Sequence, residues 1–229
     1  MKMKDRVVIV TGGSSGIGKA ASIFFAKEGA VVIVADKIAN PREGGKDTVS
    51  EILDMGGISI FRKTDMTAEK DVSELFDFVV SKYSKVDVVV NNAAISLNKS
   101  VLDTSADEFM QVIDNNLKSA FLGCKYAIKH MLERKQGRIV NIGSNFSFVG
   151  RANLSAYVAS KAGITGLTRA LAVETAAMAS GSFPFEMDDM LAAVSRRFSG
   201  NAFIINRTAL DKGFSAFNEI SSELKQDAS

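Results

Sequence analysis

Residues 7–18 read VVIVTGGSSGIG, a run of branched apolar residues that leads directly into a glycine-rich turn. The run Val7 to Val10 contains no alternating polar residues, which is typical of a strand buried on both faces, as in a parallel sheet. Residues 19–28 after the turn read as a helix that stops before Gly29. We therefore expect a strand, a glycine turn and a helix in that order.

The glycine turn is the first candidate ligand site. Glycines let the backbone turn tightly and approach a pyrophosphate, while the following helix presents N–H groups and the positive end of its dipole. The spacing is Gly-x-x-x-Gly-x-Gly rather than the commoner Gly-x-Gly-x-x-Gly, and a plain connecting turn is the alternative. The candidate cofactor-binding residues of the turn are Gly12, Ser14, Ser15, Gly16, Ile17 and Gly18.

An acidic residue ends the second predicted strand, residues 30–35. At this position the carboxylate of Asp36 can accept hydrogen bonds from an adenosine ribose, and it would repel a 2′-phosphate. This predicts NAD rather than NADP as the cofactor. Lys37 and Arg42 keep NADP as the weaker alternative, because a nearby cation could accommodate the phosphate.

Strands and helices alternate along the chain. A third strand is predicted at residues 59–63, a helix at 68–83 and a fourth strand at 86–90, which runs into Asn91-Asn92-Ala93-Ala94. Open α/β sheets bind ligands at the carboxyl ends of their strands, so the two asparagines can fix loops and a cofactor there. The predicted fold is α/β: a Rossmann-type doubly wound parallel sheet in three α/β/α layers, with residues 1–229 forming a single domain.

Tyr157 and Lys161 are four residues apart in a predicted helix, so their side chains can point into one site. A free phenol has a pKa near 10 and exchanges protons poorly at neutral pH, whereas a cation about 4 Å away would favour the ionised form by roughly 4 kcal/mol. The pair is therefore a candidate activated tyrosine. The alternative is two unrelated helix residues, one packed and one solvated.

Taken together, these motifs resemble the short-chain dehydrogenase/reductase family over about residues 5 to 175. The resemblance rests, in order, on Thr11-Gly12-x-x-x-Gly16-x-Gly18, Asp36, Asp65, Asn91-Asn92-Ala93-Ala94, Asn116, Ser144, Tyr157 and Lys161. The chain is similar to 3-oxoacyl-(acyl-carrier-protein) reductase-like members and to polyol and cyclic-alcohol dehydrogenases. The resemblance implies NAD(P) across the strand ends and a catalytic tetrad of Asn116, Ser144, Tyr157 and Lys161.

The resemblance also implies a role for each residue. Ser144, which follows a predicted strand at 137–142, could hydrogen-bond a substrate carbonyl oxygen. Asn116 would hold the lysine and a water of a proton relay, with Asn115 as the alternative if the register is shifted by one. Lys161 would also bond the nicotinamide ribose. Further cofactor contacts are expected from Lys37, Asp65, Met66, Asn92, Ala93, Ala94 and Tyr157.

The expected reaction is the interconversion of a secondary alcohol and a ketone, with Tyr157 as general acid and base and the cofactor carrying the hydride. The substrate pocket is expected to include Asn145, Phe146, Asn153 and Leu154. Such a wall suggests a moderately apolar or cyclic substrate. An equally weighted alternative is that Phe146 and Phe148, two residues apart, pack in the protein core and do not contact a substrate.

Composition limits the other partners. The net charge of +2 comes from 28 basic and 26 acidic residues without a basic cluster, so neither nucleic acid nor a membrane surface is indicated. A single cysteine and a single histidine give no metal site and fit a reducing compartment. Without a signal peptide or an apolar span we expect a cytoplasmic protein. The resemblance implies a homotetramer or homodimer.

The C-terminal part departs from the family. Where the family has a sixth strand and a substrate lid, residues about 180–186 mark an apparent gap. Residues 187–194 look like the helix after the lid, and residues 199–206 look like the last strand. The alternative function is therefore a catalytically weak or inactive NAD-binding scaffold or subunit that lacks the lid.

Overall fold

The structure, a computed structural model, describes residues 2–178 and 202–205. Within these residues it contains six strands and six α-helices in alternating layers. In chain order they are β1 (Val7–Thr11), α1 (Gly16–Lys27), β2 (Val31–Asp36), α2 (Thr48–Asp54), β3 (Ile58–Lys63), α3 (Glu69–Tyr83), β4 (Val88–Asn91), α4 (Ala106–Ile113), α5 (Ser119–Arg134), β5 (Arg138–Ile142), α6 (Ser155–Met178) and β6 (Ala202–Ile205).

The strands form one sheet in the order β3-β2-β1-β4-β5-β6. The first five strands are parallel, and the strand order reverses between β1 and β4. Thr11 ends β1 and Asn91 ends β4, so both lie at the crevice where open α/β sheets bind ligands. The predicted α/β Rossmann-type fold is confirmed.

The sixth strand differs from the parallel arrangement that the sequence suggested. β6 begins beside Ile142, at the carboxyl end of β5, and ends beside Ile139, so it runs antiparallel to β5 at the sheet edge. It lies inside the range 199–206 predicted as the last strand. The apparent gap at 180–186 and the predicted helix at 187–194 lie outside the described residues.

Apolar residues fill both faces of the sheet. Successive residues of β1 point to opposite sides: Ile9 packs with Phe76 of α3, whereas Val8 packs in a second cluster with Phe25 of α1. Both strand positions are fully buried. The chain thus has three layers, and the prediction of strands buried on both faces holds. Among residues 2–178 and 202–205, no helix is long and apolar enough to cross a membrane.

The helical region between β4 and β5 contains an irregular turn. The apolar pattern of about residues 107–133 predicts one helix, but residues 114–118 form a π-helical segment between α4 and α5. Such segments interrupt the regular hydrogen-bond ladder and are frequent at functional sites. Asn116 lies in the middle of this one and is fully buried.

Candidate active site

Tyr157 and Lys161 lie on consecutive turns of α6. The ammonium nitrogen of Lys161 is 5.8 Å from the centre of the Tyr157 ring, and Tyr157 itself is half-buried. The two side chains therefore lie on the same face of the helix, as their spacing predicts. Lys161 is the buried partner, with 3% of its surface exposed.

Lys161 is held in place by the end of strand β5. Its ammonium donates a hydrogen bond of 2.7 Å to the carbonyl of Ile142. Burial lowers the pKa of Lys161 from 10.5 to about 8, because the charged form loses its hydration. At neutral pH the lysine still keeps most of its positive charge, so a cation lies beneath the tyrosine ring.

Ser144 lies two residues beyond Ile142 and caps a short 3-10 helix, Asn145–Ser147. Its hydroxyl oxygen accepts the backbone N–H of Phe146 over 3.2 Å. The same hydroxyl donates a long hydrogen bond of 3.5 Å to the side-chain oxygen of Asn145, a weak contact that a substrate oxygen could replace. Ser147 ties the same turn to α6 by donating to the carbonyl of Lys161 over 3.0 Å.

Asn116 joins the π-helical segment to the loop after β4. Its amide accepts from the N–H of Ile95 over 2.8 Å and donates to the carbonyl of the same residue over 2.9 Å. It also donates to the hydroxyl of Ser160, next to Lys161 in the chain. The side chain of Asn115 bonds back to Gln111 on its own helix instead. Of the two candidates, Asn116 is the one that reaches the tyrosine helix.

The glycine turn has no room for side chains at its closest approach. A Cβ atom on Gly18 would lie 2.1 Å from the carbonyl oxygen of Gly12 and 2.5 Å from the amide nitrogen of Asn92. Asn92 braces the turn by donating to the carbonyls of Thr11 and Gly12, over 3.0 and 3.2 Å. Gly12 also has a φ of +63°, which favours glycine.

The turn retains polar groups suited to an anion. The hydroxyl of Ser14 is fully buried and has no hydrogen-bond partner among the described residues. The N–H groups of Ile17 and Gly18 lie in the first turn of α1, where a helix supplies no partners of its own. A buried unpaired hydroxyl beside a helix N-terminus fits a phosphate group, and the diphosphate of a dinucleotide fits the turn.

Asp36, at the end of β2, is joined to the glycine turn. Its carboxylate accepts from the N–H of Ser14 over 3.2 Å and from the N–H of Lys37 over 2.7 Å. The ammonium of Lys37 pairs with Asp65 at 3.2 Å. The charge of Lys37 is therefore largely matched within the chain. Hydrogen bonds from Thr67 and Lys37 outweigh desolvation and lower the pKa of Asp65.

The remaining residues predicted to contact the cofactor differ in how much of their surface is accessible to a ligand. Met66 is 5% exposed and packs in the core below the sheet edge, so its side chain has little surface to offer a ligand. Ala93 and Ala94 are half-buried beside the turn. Thr11 links this loop to β1, because its hydroxyl oxygen accepts the N–H groups of Asn92 and Ala93 over 3.0 and 3.1 Å.

The predicted substrate wall divides into exposed and buried residues. Asn145 and Asn153 are exposed, Phe146 is half-buried and Leu154 is 9% exposed. Phe148 is 55% exposed, so core packing does not hold for this residue. An open apolar groove of about 480 Å³ lies beside the start of α6. It is lined by Val101, Thr104, Ser105, Ala106, Phe109, Met110 and Ser155.

Several supporting residues were missed by sequence reasoning. Asn141 on β5 accepts from Asn91 over 2.8 Å and donates to Thr168 of α6 over 2.9 Å, so it ties β4, β5 and α6 together below the site. Ser160, which accepts a hydrogen bond from Asn116, was missed as well. The sequence signal that could have identified Asn141 is a polar residue near the end of an otherwise apolar strand. No group of three metal-ligating side chains is found in the part of the chain that the structure describes.

Comparisons with known proteins agree with this geometry. The family model described as short chain dehydrogenase matches residues 6–179. A 3beta-hydroxysteroid dehydrogenase of Mediterraneibacter gnavus is 39% identical over 176 residues, covering 76% of this chain and 62% of that protein. A cyclopentanol dehydrogenase of Comamonas sp. is 36% identical over 175 residues, covering 76% and 69%.

A solved structure extends the agreement to three dimensions. The crystal structure of a short chain dehydrogenase from Mycobacterium smegmatis superposes with a TM-score of 0.72 at 30% identity, covering 77% of this chain and 74% of that one. The chain spans between 62 and 69% of the length of the two curated relatives above.

Proposed function

The chain belongs to the short-chain dehydrogenase family, and from this premise we propose that it is an oxidoreductase that interconverts a secondary alcohol and a ketone with NAD(H). The observation that carries the proposal is the buried ammonium of Lys161, 5.8 Å from the Tyr157 ring and bonded to the β5 end that leads to Ser144. A buried cation, a phenol and a hydroxyl in one crevice suit proton exchange with an alcohol.

The glycine turn would hold the diphosphate of the cofactor, and Asp36 would hold the adenosine ribose. When bound, a nicotinamide dinucleotide supplies or accepts the hydride. The catalytic work of the chain itself is to orient the substrate and to move the proton.

Tyr157 exchanges the proton at its phenol oxygen. It removes the hydroxyl proton when an alcohol is oxidised and donates it when a ketone is reduced. The ammonium of Lys161 places a positive charge beside the Tyr157 ring, 5.8 Å from its centre. The hydroxyl of Ser144 donates to the substrate oxygen and stabilises negative charge that develops there.

Asn116 acts on this centre through other residues. Its side-chain amide forms hydrogen bonds with Ile95 and with Ser160. These bonds hold the loop after β4 against α6, the helix that contains Tyr157. A relay water near Lys161, which the resemblance implies, would meet an amide whose N–H groups are already bonded to Ile95 and Ser160.

NAD is preferred over NADP on two grounds. The carboxylate of Asp36 lies at the ribose end of the crevice, where a 2′-phosphate would meet a like charge. The nearby cation of Lys37 pairs with Asp65 and so offers little compensation.

The substrate that we propose is a cyclic or moderately apolar secondary alcohol. The exposed ring of Phe148 and the half-buried ring of Phe146, both close in sequence to Ser144, would favour an apolar body. The names of the two curated relatives, a hydroxysteroid and a cyclopentanol dehydrogenase, denote alcohols on rings.

We also propose a homotetramer or homodimer that works in the cytoplasm. Met110, Phe121 and Val173 are 49, 44 and 60% exposed on α4, α5 and α6, and a second copy would cover them. Cys124 is buried, and burial raises the pKa of its thiol to about 12, which fits a cysteine that forms no disulfide.

A second candidate function is an NAD-binding scaffold with little catalysis. It is favoured by the antiparallel β6 at the edge of the sheet, where the sequence suggested a parallel strand. A panel of cyclic secondary alcohols with NAD⁺, followed by absorbance at the NADH band, separates the two. Steady NADH formation supports the enzyme. NADH binding without turnover on any alcohol or ketone of the panel supports the scaffold.

A further inference from the structure

A carboxylate from the loop after β2 lies on the glycine turn. Oε1 of Glu43 accepts a hydrogen bond from the backbone N–H of Gly16 over 2.9 Å, at the first residue of α1. The next contact back along the loop runs from the N–H of Arg42 to the hydroxyl of Ser15, also 2.9 Å. The loop is therefore held against the turn at two consecutive residues.

Glu43 supplies the negative charge that α1 lacks at its own N-terminus. The first turn of α1 contains no acidic residue, and the side chain of its N-cap, Ser15, makes no capping hydrogen bond. Helix N-termini favour an anion because their first N–H groups and the helix dipole both present positive charge. The carboxylate of Glu43 thus interacts with the N-terminus of α1, which is the part of the glycine turn that would bind the cofactor diphosphate under the proposed function.

The contact is a hydrogen bond from a backbone N–H group to a charged, exposed carboxylate. The hydrogen bond from Gly16 holds the pKa of Glu43 below its usual range, so the side chain is charged at neutral pH. Glu43 is exposed to solvent. The next two residues are Gly44 and Gly45, both with positive φ and with nothing packed where a side chain would lie. A glycine pair in open space lets the loop swing the carboxylate away from the turn.

We propose that Glu43 is an internal competitor for the diphosphate of the cofactor and so sets the affinity of this chain for dinucleotides. The bound diphosphate and the carboxylate are like charges that use the same helix end, so one weakens the other. The proposal rests on the proposed function, because it requires that the glycine turn bind a dinucleotide.

The test compares ligand affinities of the purified chain and of two variants by titration calorimetry. Glu43→Gln removes the charge at the turn. Glu28→Gln is the control: it makes the same change at the half-buried C-cap residue of α1, whose carboxylate accepts from the N–H of Lys2 rather than from the glycine turn. The probes are NADH, ADP and adenosine, of which the first two carry a diphosphate.

Glu43→Gln should tighten the binding of NADH and of ADP by about two- to fivefold, the range of an exposed charge at a helix N-terminus. Adenosine binding should stay within error of the wild type, and Glu28→Gln should leave all three affinities unchanged.

Three results would overturn the proposal while leaving the proposed function intact: unchanged or weaker NADH binding by Glu43→Gln, an equal gain for adenosine, or an equal gain with Glu28→Gln. A wild-type chain that binds neither NADH nor NADPH would remove the proposed function itself, and the competitor role with it.

Discussion

The ammonium of Lys161 lies 5.8 Å from the centre of the Tyr157 ring, one helical turn away, and donates to the carbonyl of Ile142 rather than to a carboxylate. The cation is thus buried with a backbone dipole as its hydrogen-bond partner, which costs stability in the isolated chain. This arrangement keeps a positive charge beside the phenol at the expense of folding free energy.

The first prediction concerns that cost. Replacing Lys161 by Met should stabilise the chain at pH 7. The pKa of Lys161 is about 8 in the folded chain against 10.5 ordinarily, so the folded state disfavours the charge. Burying the charged lysine lowers the free energy of unfolding by its full amount below pH 8, where the side chain is charged in both the folded and the unfolded state. This loss of stability shrinks as the pH rises and is gone above about 10.5, where the side chain is neutral in both states. Its size is on the order of 3 kcal/mol.

Urea unfolding of the wild type and of Lys161→Met at pH 7 and pH 10 measures this difference. The variant should be more stable at pH 7, and the gap should shrink at pH 10. Lys129→Met, an exposed lysine on α5, is the control and should show no pH-dependent gap. An equal gap at both pH values for Lys161→Met would contradict the interpretation.

The second prediction concerns the close approach in the glycine turn. Gly18→Ala should destabilise the chain by about 1–3 kcal/mol and weaken NADH binding, because the new methyl would lie 2.1 Å from the carbonyl oxygen of Gly12. Gly166→Ala is the matched control within α6, where nothing lies within 4 Å. Gly166→Ala should raise the free energy of unfolding of the chain by up to about 1 kcal/mol. Similar free energies of unfolding for the two variants would show that a side chain at position 18 does not clash with the carbonyl of Gly12.

The third prediction separates the two neighbouring asparagines. Asn116→Ala should cost about 1–3 kcal/mol, because it leaves the N–H and carbonyl of Ile95 without their partner, and it should lower turnover. Asn115→Ala removes a single bond to Gln111 and should change stability by less than about 0.5 kcal/mol. Chemical denaturation and steady-state rates measure both. The assignment fails if Asn115→Ala is the more damaging change.

The fourth prediction concerns cofactor choice. Asp36→Ala should shift the ratio of NADP⁺ to NAD⁺ affinity by about tenfold toward NADP⁺, since the like charge facing a 2′-phosphate is removed. Asp77→Ala, an exposed carboxylate on α3, should leave the ratio unchanged. An unaltered ratio for Asp36→Ala would show that another part of the chain selects the cofactor.

The parallel core of the fold was predictable because its signals are local. Apolar runs such as Val7 to Val10 fit strands buried on both faces, and the glycines after them fit a turn that brings α1 against β1. Helical spacing predicted that Tyr157 and Lys161 share one face of a helix, whereas their catalytic role was implied by the family resemblance.

Other features depend on contacts between distant residues. The π-helical segment around Asn116 is stabilised by bonds to Ile95 and Ser160, 21 and 44 residues away along the chain. The contact of Glu43 with Gly16 spans 27 residues. The direction of β6 depends on how the chain returns to β5, which no periodic pattern in residues 202–205 specifies.

The central claim is that Tyr157 carries the proton in an NAD-dependent oxidation, and Tyr157→Phe tests it most directly. We expect turnover of a cyclic alcohol to fall at least a hundredfold, while the NADH dissociation constant stays within about twofold. Tyr126→Phe, whose hydroxyl meets Glu69 at the surface, should keep its full rate. A Tyr157→Phe variant that retains more than about a tenth of the wild-type rate would contradict the claim.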